Sequence, residues 1–214
     1  MSSSTKPVRP RSRKAAKRSY TPFIVLGAIV AVALGIALLA SAGDDDGGSD
    51  QLATAAVTVR GAPLPPIPDG AADPAVGSPA PTLEGVDPDG QGTQVTFGEP
   101  TLVAFLAHWC PACQAELPEL VALAEEGGLD GLDVVAVLTG TDRTRPNHPP
   151  GAWLDREGWT GRVLLDDQGS PAASAFGLTS YPYLLLVDAD GNVIARNAGG
   201  LGLDGLRQFV SQAG

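Results

Sequence analysis

Cys110 and Cys113 are the only two cysteines in the chain, and they lie within Ala107-His108-Trp109-Cys110-Pro111-Ala112-Cys113. They stand at the end of an apolar run and the start of a helical pattern. A dithiol at this spacing closes a small disulfide ring and opens it again. The chemistry it supports is thiol–disulfide exchange. One thiolate attacks a partner disulfide, a mixed disulfide forms, and the second cysteine releases it. A sulfur at the first turn of a helix meets unpaired N–H groups and the positive end of the helix dipole. Cys110 is therefore expected to be the exposed, low-pKa nucleophile, and Cys113, one turn further in, the less exposed resolving thiol. Pro111 costs the first helical turn no hydrogen bond.

Two cysteines cannot build a disulfide framework for a small secreted fold. A zinc site would need two more ligands, and the only histidines, His108 and His148, have no ligand spacing. No metal and no cofactor is expected. A purely structural disulfide in so tight a loop would constrain little chain. His108 has two open readings: an imidazolium that stabilises a thiolate, or a solvated side chain at the strand end. His148 reads as a loop residue, Trp153 and Trp159 as packing residues, and Asp166-Asp167 as a turn.

The elements around the dithiol must hold it in place. Leu102-Val103-Ala104-Phe105-Leu106 suits a strand buried on both faces. From Pro111 to about Glu126 the pattern is helical, with Leu117, Leu120, Val121 and Leu123 inward and Gly127-Gly128 as the stop. Asp133 to Thr139 is a second buried strand. A proline-rich loop leads to a short helix around 152–157. Arg162 to Asp166 is a strand and Pro171 to Phe176 a helix. Tyr183 to Asp188 and Asn192 to Arg196 form a hairpin about Asp190-Gly191. Asp204 to Gln212 closes the chain as a helix. Upstream, Gln94 to Phe97 alternates as a strand after the turn Asp87-Pro88-Asp89-Gly90. The alternation gives an α/β sheet with helices on both faces.

Ahead of this domain the composition changes. Residues 1–22 carry Lys6, Lys14, Lys17 and four arginines with no acid, and read as a disordered basic tail. Residues 23–42 are uncharged and apolar. At about 1.5 Å per residue they span roughly 30 Å, a hydrocarbon core, so a transmembrane helix is expected. The positive-inside rule then places the N-terminus in the cytoplasm and the rest outside. A cleaved signal peptide ending at Ala40-Ser41-Ala42 is the competing reading. Residues 43–78 read as a Gly-, Asp- and Pro-rich linker, with Val57-Thr58-Val59 as a candidate short strand, and the folded domain as 79–214. After Ala42 the chain holds seven arginines and no lysine against 24 acids, a formal charge of −17. That argues against nucleic acid as a partner.

Trp109-Cys110-Pro111-Ala112-Cys113 after a buried strand resembles the thioredoxin superfamily. The run from Phe105 to Pro118 is similar to its membrane-tethered TlpA/ResA-like, redoxin-type branch. Asp73 to Pro81, Ala175 to Pro182 and Asp188 to Gly191 resemble that branch's entry segment, its approach to a cis-proline and its terminal hairpin. The resemblance implies a thioredoxin-like fold, a central mixed β-sheet flanked by helices. It implies that Trp109 packs beside the dithiol, that Pro118 kinks the active-site helix, and that Tyr181-Pro182 is cis and holds an incoming peptide. It implies that Glu116 tunes the thiols or moves a proton, acting with Cys110 and Cys113. The buried acid that many thioredoxins carry six residues before the first cysteine is replaced here by Ala104.

The function implied is that of an extracytoplasmic, membrane-tethered thiol–disulfide oxidoreductase acting on protein cysteines. Its role would be reduction, for example in cytochrome c maturation, with electrons from a membrane-embedded partner. Three alternatives stay open: an oxidant of exported proteins, a thiol peroxidase, and a peptide-binding module with a permanent disulfide. The peroxidase lacks its expected Pro-x-x-x-Thr/Ser-x-x-Cys run.

Overall fold

The computed structural model describes residues 56–214. The predicted basic tail, the apolar span 23–42 and the first part of the linker lie outside the described residues. No helix among the described residues is long and apolar enough to cross a membrane.

Eight strands and four helices follow in the order β1 (Thr58–Arg60), β2 (Thr82–Val86), β3 (Gly92–Val95), β4 (Thr101–Leu106), α1 (Pro111–Glu125), β5 (Asp133–Leu138), α2 (Pro150–Arg156), β6 (Arg162–Leu165), α3 (Pro171–Ala175), β7 (Tyr183–Val187), β8 (Val193–Ala198) and α4 (Gly202–Val210). The central sheet has the order β6-β5-β4-β7-β8. β4, β5 and β6 are parallel, and β7 and β8 antiparallel. A smaller antiparallel sheet is built from β1, β2 and β3. The expected mixed sheet is thus present.

The central strands read as unbroken apolar runs because both of their faces are covered. Every residue of β4 is buried. Its side chains alternate between two cores, as a strand's period of two requires. Leu102, Ala104 and Leu106 face Leu117, Leu120 and Leu123 of α1 and Leu206 and Phe209 of α4. Val103 and Phe105 face Ala172 and Phe176 of α3 and its end, with Leu83 and Val95 of the small sheet. The Phe105 ring lies 5.1 Å from Phe176 and 6.0 Å, edge-on, from Tyr183.

Two sequence expectations need correction. Thr82–Val86 pairs with both β1 and β3, whereas only the strand after the turn was expected. Its core contact comes chiefly through Leu83, too short a pattern to stand out. The linker assigned up to residue 78 is also part of the folded body from at least β1 onward. Leu64 and Ala75 are buried, and the Leu64 N–H donates to the Ala175 carbonyl at 2.8 Å. Gly177 has φ +70°, and a Cβ there would lie 2.6 Å from the Pro65 carbonyl oxygen. The chain crosses closely because only glycine leaves the room.

One buried ion pair secures that crossing. The Arg196 side chain, 0% exposed, pairs with Asp73 and donates to the Pro65 carbonyl at 2.8 Å, the Phe176 carbonyl at 3.2 Å and the Tyr183 hydroxyl at 3.0 Å. The Arg196 guanidinium holds the Asp73 carboxyl below its ordinary pKa. Breaking a buried pair strands its remaining charge. Arg196→Met is expected to lower stability by about 3 kcal/mol in urea unfolding. Limited proteolysis of the folded variant should then cut within residues 61–78.

Candidate active site

The chain leaves β4 at Leu106 and enters α1 at Pro111, so the dithiol sits at the carboxyl end of a central parallel strand. Cys110 is the N-cap residue of α1, with extended backbone. Its N–H donates to the Ala107 carbonyl and its own carbonyl accepts from Gln114. Both cysteines are free thiols. Cys113 is 0% exposed and Cys110 8%. The order of exposure is as expected, but Cys110 is far more covered than an exposed nucleophile. The Cys113 sulfur accepts a 3.5 Å hydrogen bond from the Ala107 N–H. Burial pushes the Cys113 thiol far above its ordinary pKa, and the charges of Cys110 and Glu116 push the same way.

Across from the sulfurs lies the segment between α3 and β7. Tyr181-Pro182 is cis, as the resemblance implies. The Cys110 thiol donates a long 3.9 Å contact to the Tyr181 carbonyl. The Tyr181 ring stands edge-on to Trp109 at 5.8 Å. Trp109 in turn donates from its indole N–H to the Gly140 carbonyl at 2.7 Å. Gly140 has φ +59°, and a Cβ there would meet the Tyr181 hydroxyl at 2.8 Å. The residues expected to bind substrate, Trp109, Tyr181 and Pro182, are therefore gathered round Cys110.

Glu116 is buried, 3% exposed. It reaches from α1 to the start of α4. There it accepts from the Leu201 N–H at 2.8 and 3.0 Å and the Gly202 N–H at 3.0 Å. Those N–H groups are the unpaired donors that every helix start leaves. Pro118 lies inside α1, where it cannot donate to the Gln114 carbonyl.

His108 matches neither of its two readings. It is 1% exposed and clamps the loop between β5 and α2. Its Nδ1 lies 2.6 Å from the Pro146 carbonyl, and its Nε2 accepts from the Asp142 N–H at 3.2 Å. An Nε2 that accepts carries no proton, so Nδ1–H is the donor and the ring is neutral. The His148 ring sits edge-on at 5.8 Å. Asn147 closes the clamp by donating to the His108 carbonyl at 3.2 Å. The Arg145 guanidinium lies 4.8 Å from the Trp109 ring centre. This loop supports Trp109 beside Cys110, and it was not singled out from sequence. Its signal was position, since loops at the carboxyl ends of parallel strands gather ligands. Asp166, read as a turn residue, is buried and accepts from the Ala172 and Ala173 N–H groups at 3.0 and 3.1 Å, capping α3. Concavity does not mark the site. A groove of about 420 Å³ lined by Val121, Leu129, Val134 and Trp159 lies at the other end of the parallel strands.

Burial holds the His108 pKa below its ordinary 6.5, outweighing the Pro146 carbonyl's upward pull. A base whose folded pKa is depressed contributes stability that is complete above its unfolded pKa. That stability is lost as pH falls through the folded value. Thermal stability is therefore expected to decline as pH drops from about 6.5 towards 5, above the carboxylate range. His108→Gln should flatten that part of the profile in scanning calorimetry.

A family model described as Redoxin matches residues 75–205. The thiol:disulfide interchange protein DsbE of Allochromatium vinosum is 32% identical over 154 residues, covering 69% of this chain and 79% of that protein. The DsbE of Escherichia coli is 31% identical over 131 residues, 59% of this chain and 66% of the relative. The match thus spans just under two thirds of that relative's length. The thiol-disulfide oxidoreductase ResA of Halalkalibacterium halodurans is 23% identical over 53% of this chain and 61% of its own length. Among solved structures, the thioredoxin domain of a thiol-disulfide oxidoreductase from Bacteroides vulgatus superposes with a TM-score of 0.52 at 25% identity, covering 64% of this chain and 96% of that one. A thiol:disulfide interchange protein of Chlorobium tepidum gives 0.51 at 25% identity, covering 66% and 99%. The chain belongs to the redoxin family, and its described domain has the thioredoxin-like fold.

Proposed function

We propose that this protein is a membrane-tethered thiol–disulfide oxidoreductase that reduces disulfides of protein partners on the outer face of the cell membrane. The observation that carries the reading is the arrangement of the two sulfurs. Cys110 caps α1 beneath the Tyr181 carbonyl, and Cys113 lies fully buried behind it. The thiolate of Cys110 attacks one sulfur of the partner disulfide, and that bond breaks as the mixed disulfide forms. Cys113 then attacks the Cys110 sulfur. The Cys110 proton ends on the first partner sulfur released and the Cys113 proton on the second. The partner gains two electrons and two protons, and the Cys110–Cys113 pair becomes the disulfide.

The choice of reduction rests on the resemblance to the ResA-like branch. Trp109, Tyr181 and Pro182 would flank an extended partner segment. Glu116 would be a positioning residue that holds α4 against α1 and adds a charge opposing ionisation of Cys113. Residues 23–42 would supply the anchor, with the basic tail in the cytoplasm. A membrane-embedded partner would return the pair to the dithiol. The protein's substrates would be exported cysteine proteins, for example those of cytochrome c maturation, as the family resemblance implies.

Iodoacetamide at pH 7 is expected to alkylate Cys110 and spare Cys113 in the reduced full chain. Cys113→Ser should accumulate mixed disulfides through Cys110 in cells, and Cys110→Ser should abolish exchange. Equilibration with thiol buffers should give a reduction potential near or below about −270 mV, where thioredoxin lies. A potential near about −120 mV would instead mark an oxidant, and the absence of a reversible couple would end the exchange reading.

A further inference from the structure

The charge of the site runs against the charge of the protein. Beyond Ala42 the chain carries 24 acids and seven arginines. Four of those arginines are paired with carboxylates: Arg60 with Glu84, Arg162 with Asp133, Arg196 with Asp73, and Arg207 with Glu126. Residues 107–115, 139–147, 175–182 and 197–203 border the dithiol. Their only Asp, Glu, Lys or Arg residues are Asp142, Arg143 and Arg145. Glu116 and Asp166 add carboxylates near the site, but both are buried and taken up by backbone N–H groups, so the exposed rim holds one acid against two arginines.

The single acid of this rim is occupied. The Asp142 carboxylate accepts from the Thr144 N–H at 2.9 Å and the Thr144 hydroxyl at 2.7 Å. Arg145 makes no ion pair among the described residues. Its guanidinium carbon instead lies over the ring of Trp109, the residue before Cys110, 4.8 Å from the centroid. A guanidinium over a ring keeps N–H donors free at the edge of its plane, where a carboxylate is received through two parallel bonds. The loop beneath it is fixed by His108 and Asn147.

We infer that this rim selects partners whose reactive cysteines are flanked by acidic residues, with Arg145 on Trp109 as the specificity-determining side chain. The inference rests on the exchange chemistry proposed above and names its substrate class. At physiological salt the screening length is about 8 Å. An incoming segment therefore responds to the rim more than to the distant negative surface. The two influences predict opposite preferences, which makes them separable.

The test offers the reduced full-length protein two synthetic peptides. They share one intramolecular disulfide and differ only in flanking glutamates or lysines. Rates of peptide reduction are measured by acid quench and thiol counting at about 0.15 M salt. The Glu-flanked peptide is expected to react about tenfold faster. The ratio should fall towards unity in about 1 M salt, where screening shortens to roughly 3 Å. Arg145→Gln should level it and Arg145→Glu should reverse it. Because a ratio is read, any change in basal rate cancels. Equal rates, a preference for lysine, or a glutamate preference that survives Arg145→Glu overturns the inference. An uncharged small disulfide serves as control. If it is reduced while the peptides show no such preference, only the inference fails. If it is not reduced either, the exchange reading fails with it.

Discussion

The short turn from β4 to α1 is the constraint on which the rest depends. β4 is paired on both edges and covered on both faces, so its carboxyl end cannot move without disturbing two cores. Only Ala107 to Cys110 separate that end from the first helical residue. A sulfur placed there inherits the rigidity of the sheet and the unpaired N–H groups of the helix start. The Ala107 N–H bond to the Cys113 sulfur ties the second thiol to the same turn. A rigid element gives a reactive pair a fixed geometry more reliably than a loop does.

Around that turn the fold supplies covers of different kinds. The cis-proline segment brings a backbone carbonyl to Cys110. The β5–α2 loop brings an indole acceptor and a guanidinium, and is itself clamped by the buried His108 imidazole. His108 belongs to the redox motif by position, yet its ring works on the loop. Both of its nitrogens are engaged, and burial keeps it neutral. It holds in place the loop that Trp109 leans on. Glu116 works in a similar indirect way, joining the active-site helix to the last helix through the donors at the start of α4.

The segment before residue 79 shows how a proline-rich stretch becomes part of a folded body. Its composition resembles that of a spacer. It is held by one strand pairing, by Leu64 and Ala75 in the core, and by an arginine reaching from β8 to four oxygen-bearing groups, Asp73 among them. Arg196 is the most enclosed of the domain's ion-paired arginines, and the pairs on the surface contribute far less to stability. The chain beyond Ala42 is strongly acidic, whereas the exposed rim of the site holds two arginines against one acid.

By itself the sequence determined the dithiol, the order of most strands and helices, and the two-faced burial of the central strands. These follow from local signals: cysteine spacing, apolar periodicity, and glycine or proline at element ends. The cis-proline and the family were legible through motif resemblance. Tertiary structure alone decided that residues 57–78 are packed, that Thr82–Val86 is a strand, that Cys110 is nearly covered, and that His108, Glu116 and Asp166 bind backbone groups. Each of these depends on a partner distant in the chain. Asp73 meets Arg196, Glu116 meets Leu201, and His108 meets Pro146. A polar or charged side chain reads the same in sequence whether it meets water or a buried N–H. Only the fold sets which one it meets, because burial there is affordable only when the partner is already in place.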